Sequence, residues 1–447
     1  MAILQHPMTM EIDLLITPEW IITVDSGNQV LRHHTIAVDD SRIVGIMPTS
    51  EAEKRYIPRQ IVALPQQALL PGLVNAHTHV AMSLLKGLAD DLPLMDWLQH
   101  HIWPAEARWA DAEFVYNGAQ LAIAEMIRSG TTCFNDMYFF PEAAAQAADE
   151  SGIRACIGMI IIDFPTRWGS GVEEYLQKGL ALHDQLQEKP LLTTAFAPHA
   201  PYTVSDEPLH KVLHLACELD VPIHMHVHET AFEVQQAQAQ TGLRPLTRLE
   251  QLGLLDKHFL AVHMTQLNDE DIALLATKGV HVIHCPESNL KLASGFCPVA
   301  KLTAAGINVA LGTDGNASNN DLDMLGEMRT AALIAKAVAQ DASAIPATQA
   351  LRMATINGAK ALGLDAKIGS LEVGKSADMI AVDLGTLESS PLYDPVSHLV
   401  YCTSREQVTH TWVAGKALMI NRQLTTLDSA TLIAKAHCWQ QKIGETS

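Results

Sequence analysis

Residues 68–79 read ALLPGLVNAHTH, an apolar run of strand length that ends in two histidines one residue apart. The same form recurs along the chain: TTCFNDM (131–137), RACIGMIIID (154–163), LLTTAFAPHA (191–200), PIHMHVHE (222–229), FLAVHMTQ (259–266), VHVIHCPE (280–287) and NVALGTDG (308–315). Between these runs lie helical patterns such as AEFVYNGAQLAIAEMIRSG (112–130) and LHKVLHLACELD (209–220). Short apolar runs alternating with helices are the mark of repeated βα units. Eight of them predict an α/β fold, a closed (β/α)8 barrel of the TIM type, in which chemistry belongs at the C-terminal strand ends.

Outward from this stretch the pattern changes. From Ile12 to about Leu64, runs such as DLLITPEWIITV, TIAVDD and RIVGIM are separated by turn residues, as in short antiparallel strands. GSLEVGKSADMIAVDL and VTHTWVAGKALMI repeat that style near the other end. Each part is too small for a large core of its own, so the two ends are expected to build one small β-sandwich domain together. The expected organisation is residues 1–66 as its first part, 67–368 as the metal-dependent barrel, and 369–447 as its second part with a tail helix.

Composition agrees with a barrel. Of the 447 residues 48% are hydrophobic and 18% charged, enough apolar material to fill a large interior and too apolar for a disordered chain. The formal charge of -20 would repel a phosphate backbone, so a nucleic-acid partner is not expected. Cys133, Cys156, Cys217, Cys285, Cys297, Cys402 and Cys438 form no CxxC and no paired framework, and read as reduced thiols of a cytoplasmic protein. The first twenty residues lack an export signal's basic flank and clean apolar stretch. No uninterrupted apolar run approaches membrane-spanning length. Association of identical copies stays open.

The polar residues fall at the expected strand ends. His77 and His79 close the first strand and His199 the fourth. His224 to Glu229 close the fifth, His263 the sixth, His284 the seventh and Asp314 the eighth. His77 and His79, two apart on a strand, project to one face and can converge on one metal. An isolated HxH is a weak signal; its joint occurrence with a His-rich fifth strand and a terminal Asp is the evidence. Imidazoles and a carboxylate suit zinc, with a position left for water. On the fifth strand His224, His226 and His228 share one parity, so spacing does not choose among them.

PGLVNAHTH, HMHVHET, VHMTQL and the GTDG strand end resemble the amidohydrolase superfamily. That resemblance implies His77, His79, His226 and Asp314 as metal ligands, with His224 and His228 in support. Two-metal members carry a modified Lys or a Glu on the fourth strand. LLTTAFAPHAPYT has neither, so one zinc per chain is expected. The long segment HTHVAMSLLKGLADDLPLMDWLQHHIWPAE, with PHAPYTVS, HVHETAFEV, HCPESNLKLASG and ALGTDGNASNND, is similar to the 5'-methylthioadenosine/S-adenosylhomocysteine deaminases over nearly the whole chain. The alternatives are another aminohydrolase on the same site (guanine, adenosine or triazine), or a catalytically silent barrel. The second usually loses metal ligands, and none is missing.

The resemblance implies hydrolytic deamination of an adenine ring by water activated on zinc, whose pKa falls toward about 7. Glu229 would protonate the ring nitrogen, Asp314 would take the proton of the water, and His263 would orient the attacking oxygen. It further implies substrate contacts from Trp97 (apolar), Glu106 (ribose hydroxyls), His199 and Glu229. Arg167, after the third strand, is the candidate partner for a homocysteine carboxylate, whereas Arg154 begins that strand at the wrong end. The strand ends in the apolar GMIIID, without a second arginine, which favours the neutral methylthio nucleoside.

Overall fold

The computed structural model describes residues 9–444. Eight of its strands form one parallel sheet: β6 (Leu73–Thr78), β7 (Thr131–Met137), β8 (Arg154–Ile161), β9 (Leu192–Pro198), β10 (Ile223–Val227), β11 (Phe259–His263), β12 (His281–His284) and β13 (Val309–Leu311). They are the eight runs read from the sequence, in the same order. A parallel bridge between Thr78 and Asp314 joins the first strand to the end of the last and closes the barrel.

Alternation along the strands divides the core in two. Outward residues such as Phe134, Phe196 and Phe259 are fully buried under the surrounding helices. Burial of such a side chain contributes about 1.5–3 kcal/mol. The lumen takes smaller side chains, among them Val74, Ala76, Cys133, Cys156, Ala195 and Ala310. Ala359, Leu362, Leu364 and Ile368 join that inner cluster. With the lower lumen packed, the polar residues occupy the upper end alone.

The chain ends meet in one mixed sheet of nine strands. β1 (Met10–Ile22), β2 (Val30–Arg32), β3 (His34–Asp39), β4 (Arg42–Pro48) and β5 (Tyr56–Pro71) come from the N-terminal side. β14 (Met379–Asp383), β15 (Val408–Val413), β16 (Lys416–Ile420) and β17 (Gln423–Leu424) come from the C-terminal side. The order is β17-β16-β15-β14-β5-β1-β3-β4, with β2 on β1. The expectation of short antiparallel N-terminal strands needs correction, because β1 and β5 have 13 and 16 residues and pair in parallel. In the structure Pro18 stays paired with Leu64 and Trp20 pairs with Ala68, so the extra residues of the irregularity, Pro65 among them, lie on β5.

β5 continues through residue 66 and leads directly into β6 across Gly72. At Gly72 a Cβ would lie 1.9 Å from the Thr132 hydroxyl, so only glycine lets the two strands approach. The tail helix Ser429–Gly444 packs on a barrel helix, Ala112–Arg128: Trp439 meets Phe114 edge-on at 5.3 Å between ring centres.

Candidate active site and metal centre

The C-terminal strand ends open into a cavity of about 480 Å³. At its base His77, His79, His226 and Asp314 converge, with one donor atom from each lying within 4.8 Å of the others. His77 Nε2 and His79 Nε2 are 3.3 and 3.2 Å from Asp314 Oδ1, and His226 Nε2 is 3.2 Å from His77 Nε2. Nitrogen and oxygen lone pairs packed so closely are satisfied by a shared cation. Among the described residues this is the one such group.

Each ligand is held by a second contact. His79 Nδ1 is 2.6 Å from the Met137 carbonyl and His226 Nδ1 is 2.7 Å from the His199 carbonyl, so both rings turn Nε2 inward. His77 Nδ1 is 2.9 Å from His224 Nε2. Asp314 Oδ2 accepts from the Ser288 and Ser318 hydroxyls at 2.6 and 2.9 Å, and Oδ1 accepts from the Gly315 N–H at 2.8 Å. Burial opposes ionisation of Asp314, but His77 and His79 outweigh it and hold the carboxyl well below its usual range. Three oriented imidazoles and one carboxylate are a zinc donor set with its outer contacts in place.

Glu229 and His263 complete the base, with Glu229 Oε1 3.8 Å from His263 Nε2. Burial raises the Glu229 carboxyl against the charges of His263 and His79, and Asp314 raises it further. His263 Nδ1 faces Asn289 Oδ1 at 2.9 Å. Trp97, Glu106, Arg167 and His199 all line the same cavity. Trp97 and Glu106 sit on two short helical pieces, Leu94–Trp97 and Trp103–Trp109, joined by a single π turn. The Trp97 indole donates to the Ala89 carbonyl at 3.1 Å. Burial pushes the Glu106 carboxyl up to about 7 against the Tyr138 hydroxyl and the His79 charge.

Arg167 is the one lysine or arginine among the described residues lining this cavity. Its guanidinium donates to the Arg108 carbonyl at 2.7 Å and to Asp111 at 3.3 Å. Arg154 is buried at the far end of β8 on Asp378, at 2.8 Å. Of the three fifth-strand histidines, His224 and His226 face the lumen. His228 leaves it: at φ 54° its ring turns to the Gln266 carbonyl and the Leu246 N–H. His284 is buried and does not line the cavity.

Several residues of the site carry no role in the sequence reading. Ser288 and Asn289 lie in the HCPESNL stretch, whose chemistry is invisible until it folds onto Asp314 and His263. Glu233 accepts from the His228 and Glu229 N–H groups at 2.9 and 2.8 Å and so shapes the turn that carries Glu229. Its signal is present as Thr230-x-x-Glu233, a capping-box spacing.

Residues 68–418 match the amidohydrolase family. The chain belongs to the amidohydrolase family. A 5-methylthioadenosine/S-adenosylhomocysteine deaminase of Saccharophagus degradans is 54% identical over 431 residues, 96% of this chain and 97% of that one. One from Teredinibacter turnerae is 51% identical, covering 98% and 99% of the two chains. Among solved structures, an adenosine deaminase from Xanthomonas campestris with bound zinc superposes with a TM-score of 0.97 at 52% identity, over 98% of this chain and 100% of that one. This amidohydrolase is therefore a metal-dependent hydrolytic deaminase, and its four converging side chains fit the zinc that such enzymes use.

Proposed function

We propose that this amidohydrolase deaminates the adenine ring of 5'-methylthioadenosine and S-adenosylhomocysteine to the inosyl product and ammonia, with the methylthio nucleoside preferred. The observation that carries this reading is the cavity itself: a zinc donor set and the buried carboxyl of Glu229 at its base, under walls of Trp97, Trp103 and Phe164. Near-full-length deaminase relatives at up to 54% identity support it. The division into residues 1–66, 67–368 and 369–447, and a cytoplasmic location, belong to the same proposal. Among the described residues no helix is long and apolar enough to cross a membrane.

His77, His79, His226 and Asp314 would hold one zinc, which when bound supplies the Lewis acidity that makes water nucleophilic near neutral pH. Glu229, whose carboxyl burial pushes toward the protonated form, donates to the ring nitrogen beside the amino-bearing carbon as water attacks that carbon, and recovers the remaining hydroxyl proton as the amine departs. Asp314, held as a carboxylate, accepts the proton the water gives up and passes it to the departing amine, which leaves as ammonia. His263, fixed by Asn289, orients the incoming oxygen. Glu106 takes the ribose hydroxyls, whose hydrogen bonds add to that of the Tyr138 hydroxyl on its carboxyl. Trp97 covers the nucleoside, and His199 contributes from the fourth strand.

The preference follows from charge. Among the described lysines and arginines a carboxylate entering this cavity finds only Arg167, already engaged by Asp111 and the Arg108 carbonyl. Ammonia release from methylthioadenosine, S-adenosylhomocysteine, adenosine and guanine tests the reading. The expected order of kcat/KM places methylthioadenosine first, and Arg167→Ala widens its lead over S-adenosylhomocysteine. Equal efficiencies in the native enzyme would refute the preference, and fastest turnover of guanine would refute the reading.

A further inference from the structure

At the opposite end of the barrel, the starts of β9, β10, β11 and β12 and the segment 360–367 surround a second cavity of about 790 Å³. Apolar side chains such as Leu192, Val221 and Leu362 line part of it. Lys189, Lys257, Lys360 and Lys367 line it too, against the two carboxylates of Asp220 and Asp365. That balance is unusual in a chain with a formal charge of -20.

Lys189 is paired with Asp149 at 2.7 Å. Among the described residues the ammonium groups of Lys257, Lys360 and Lys367 find no hydrogen bond, ion pair or ring contact. Among the described lysines and arginines, only Lys54 and Lys416 share that condition. In a chain with acidic residues in such excess, lysines readily find carboxylates. Lys257, Lys360 and Lys367 are exposed, and Asp220 and Asp365 of the same lining offset their charge without pairing with them, which leaves three ammonium groups at one cavity open to a ligand. The unpaired lysines come from two separated places, Lys257 from the approach to β11 and Lys360 and Lys367 from the end of helix Ile356–Ala361 and the turn after it, while the paired Lys189 stands on the approach to β9. Because these groups stand on separate segments, a ligand with separated charges can engage more of them than a single small anion.

We propose that this cavity binds a small organic anion carrying two or more phosphate groups, with its charges on Lys257, Lys360 and Lys367 and its body on the apolar lining. The site is independent of the deaminase reading, since it lies at the other barrel end and uses none of the residues placed in catalysis.

Fructose 1,6-bisphosphate serves as the probe because it lacks a nucleobase for the active site, with inorganic phosphate as the single-anion arm. Calorimetric titration of the zinc-loaded enzyme is expected to give saturable binding of the bisphosphate at one site per chain. Its affinity should fall as ionic strength rises, and inorganic phosphate should bind at least about tenfold more weakly. The triple variant Lys257→Glu/Lys360→Glu/Lys367→Glu should lose binding by at least about tenfold at unchanged deaminase activity. The double variant Lys54→Glu/Lys416→Glu, which reverses the other two unpaired lysines, should bind as the native chain does. Should the triple variant not fold, Lys257→Gln and Lys360→Gln singly should each weaken binding. Absence of saturable bisphosphate binding, equal affinity for phosphate, or undiminished binding in the lysine variants would each overturn the proposal.

Discussion

His228, His263 and Asp314 hold φ of 54°, 73° and 63°, the left-handed region that costs a side-chain-bearing residue energy. Each stands at or just past the end of a barrel strand, where a left-handed residue breaks the alternation of faces. Val262 packs in the lumen, so strict alternation would send His263 outward; the turn brings it back beside Glu229. Glu229→Gln removes the proton without removing a metal donor. It is expected to keep zinc and fold while turnover falls about 10²–10⁴-fold. Near-normal turnover in that variant would exclude Glu229 as the acid. His224 acts one step further back. For His77 to present Nε2 to a metal, its proton must sit on Nδ1 and be donated to His224 Nε2, 2.9 Å away. His224→Leu leaves that N–H unpaired and is expected to weaken zinc binding about 10–100-fold in chelator competition, with an unchanged circular dichroism spectrum. Unaltered zinc affinity would show that His77 needs no such partner.

At the scale of elements, the site depends on helices that never touch substrate. Helix Met324–Ala339 buries Glu327 completely beside helix Pro286–Lys291, which carries Ser288 and Asn289. Glu327 accepts from the Asn319 amide and, at 3.2 Å, from the Glu287 N–H, and among the described residues no cation pairs with it. Burial first, and then the charge of Glu287, hold its carboxyl well above the ordinary value of 4.5. A carboxyl with a raised folded pKa keeps its proton in the folded state after the unfolded chain has lost it. Stability therefore falls as pH rises from about 4.5 toward the raised value. Glu327→Gln is expected to be most favourable at high pH: Tm measured from pH 5 to pH 8 should decline less in the variant than in the native protein. Parallel declines would show that Glu327 does not titrate abnormally.

For the whole molecule, the metal centre joins β6, β10 and the end of β13, first and last strands included. One cation there ties the barrel where it closes. The purified enzyme is expected to carry one zinc per chain and to lose both activity and thermal stability on chelation. A ligand at 1,000 times its Kd contributes about 4 kcal/mol to stability. Two metal equivalents at full activity, or a Tm indifferent to chelator, would contradict the single centre. The charge of the molecule has its own pattern: a formal net charge of -20, with Lys257, Lys360 and Lys367 gathered unpaired at the closed end of the barrel.

The sequence alone determined the order of eight βα units, the HxH pair and the polar strand ends. These are local properties: apolar period, turn residues and side-chain parity are written in consecutive residues. Resemblance then selected His226, and the tertiary structure gives a physical account of that choice. His224 reaches only the back of His77 and His228 is turned out of the lumen, neither of which spacing reveals. The parallel pairing of β1 with β5, the Ser288 and Asn289 supports and the Asp111 hold on Arg167 were decided only by the fold. Each joins segments distant in the chain, and nothing local in a sequence encodes which distant partner a hydrogen-bonding group will meet. The lysine-lined cavity is the same case, since residues 189, 257, 360 and 367 read as scattered surface charges until the barrel places them around one opening.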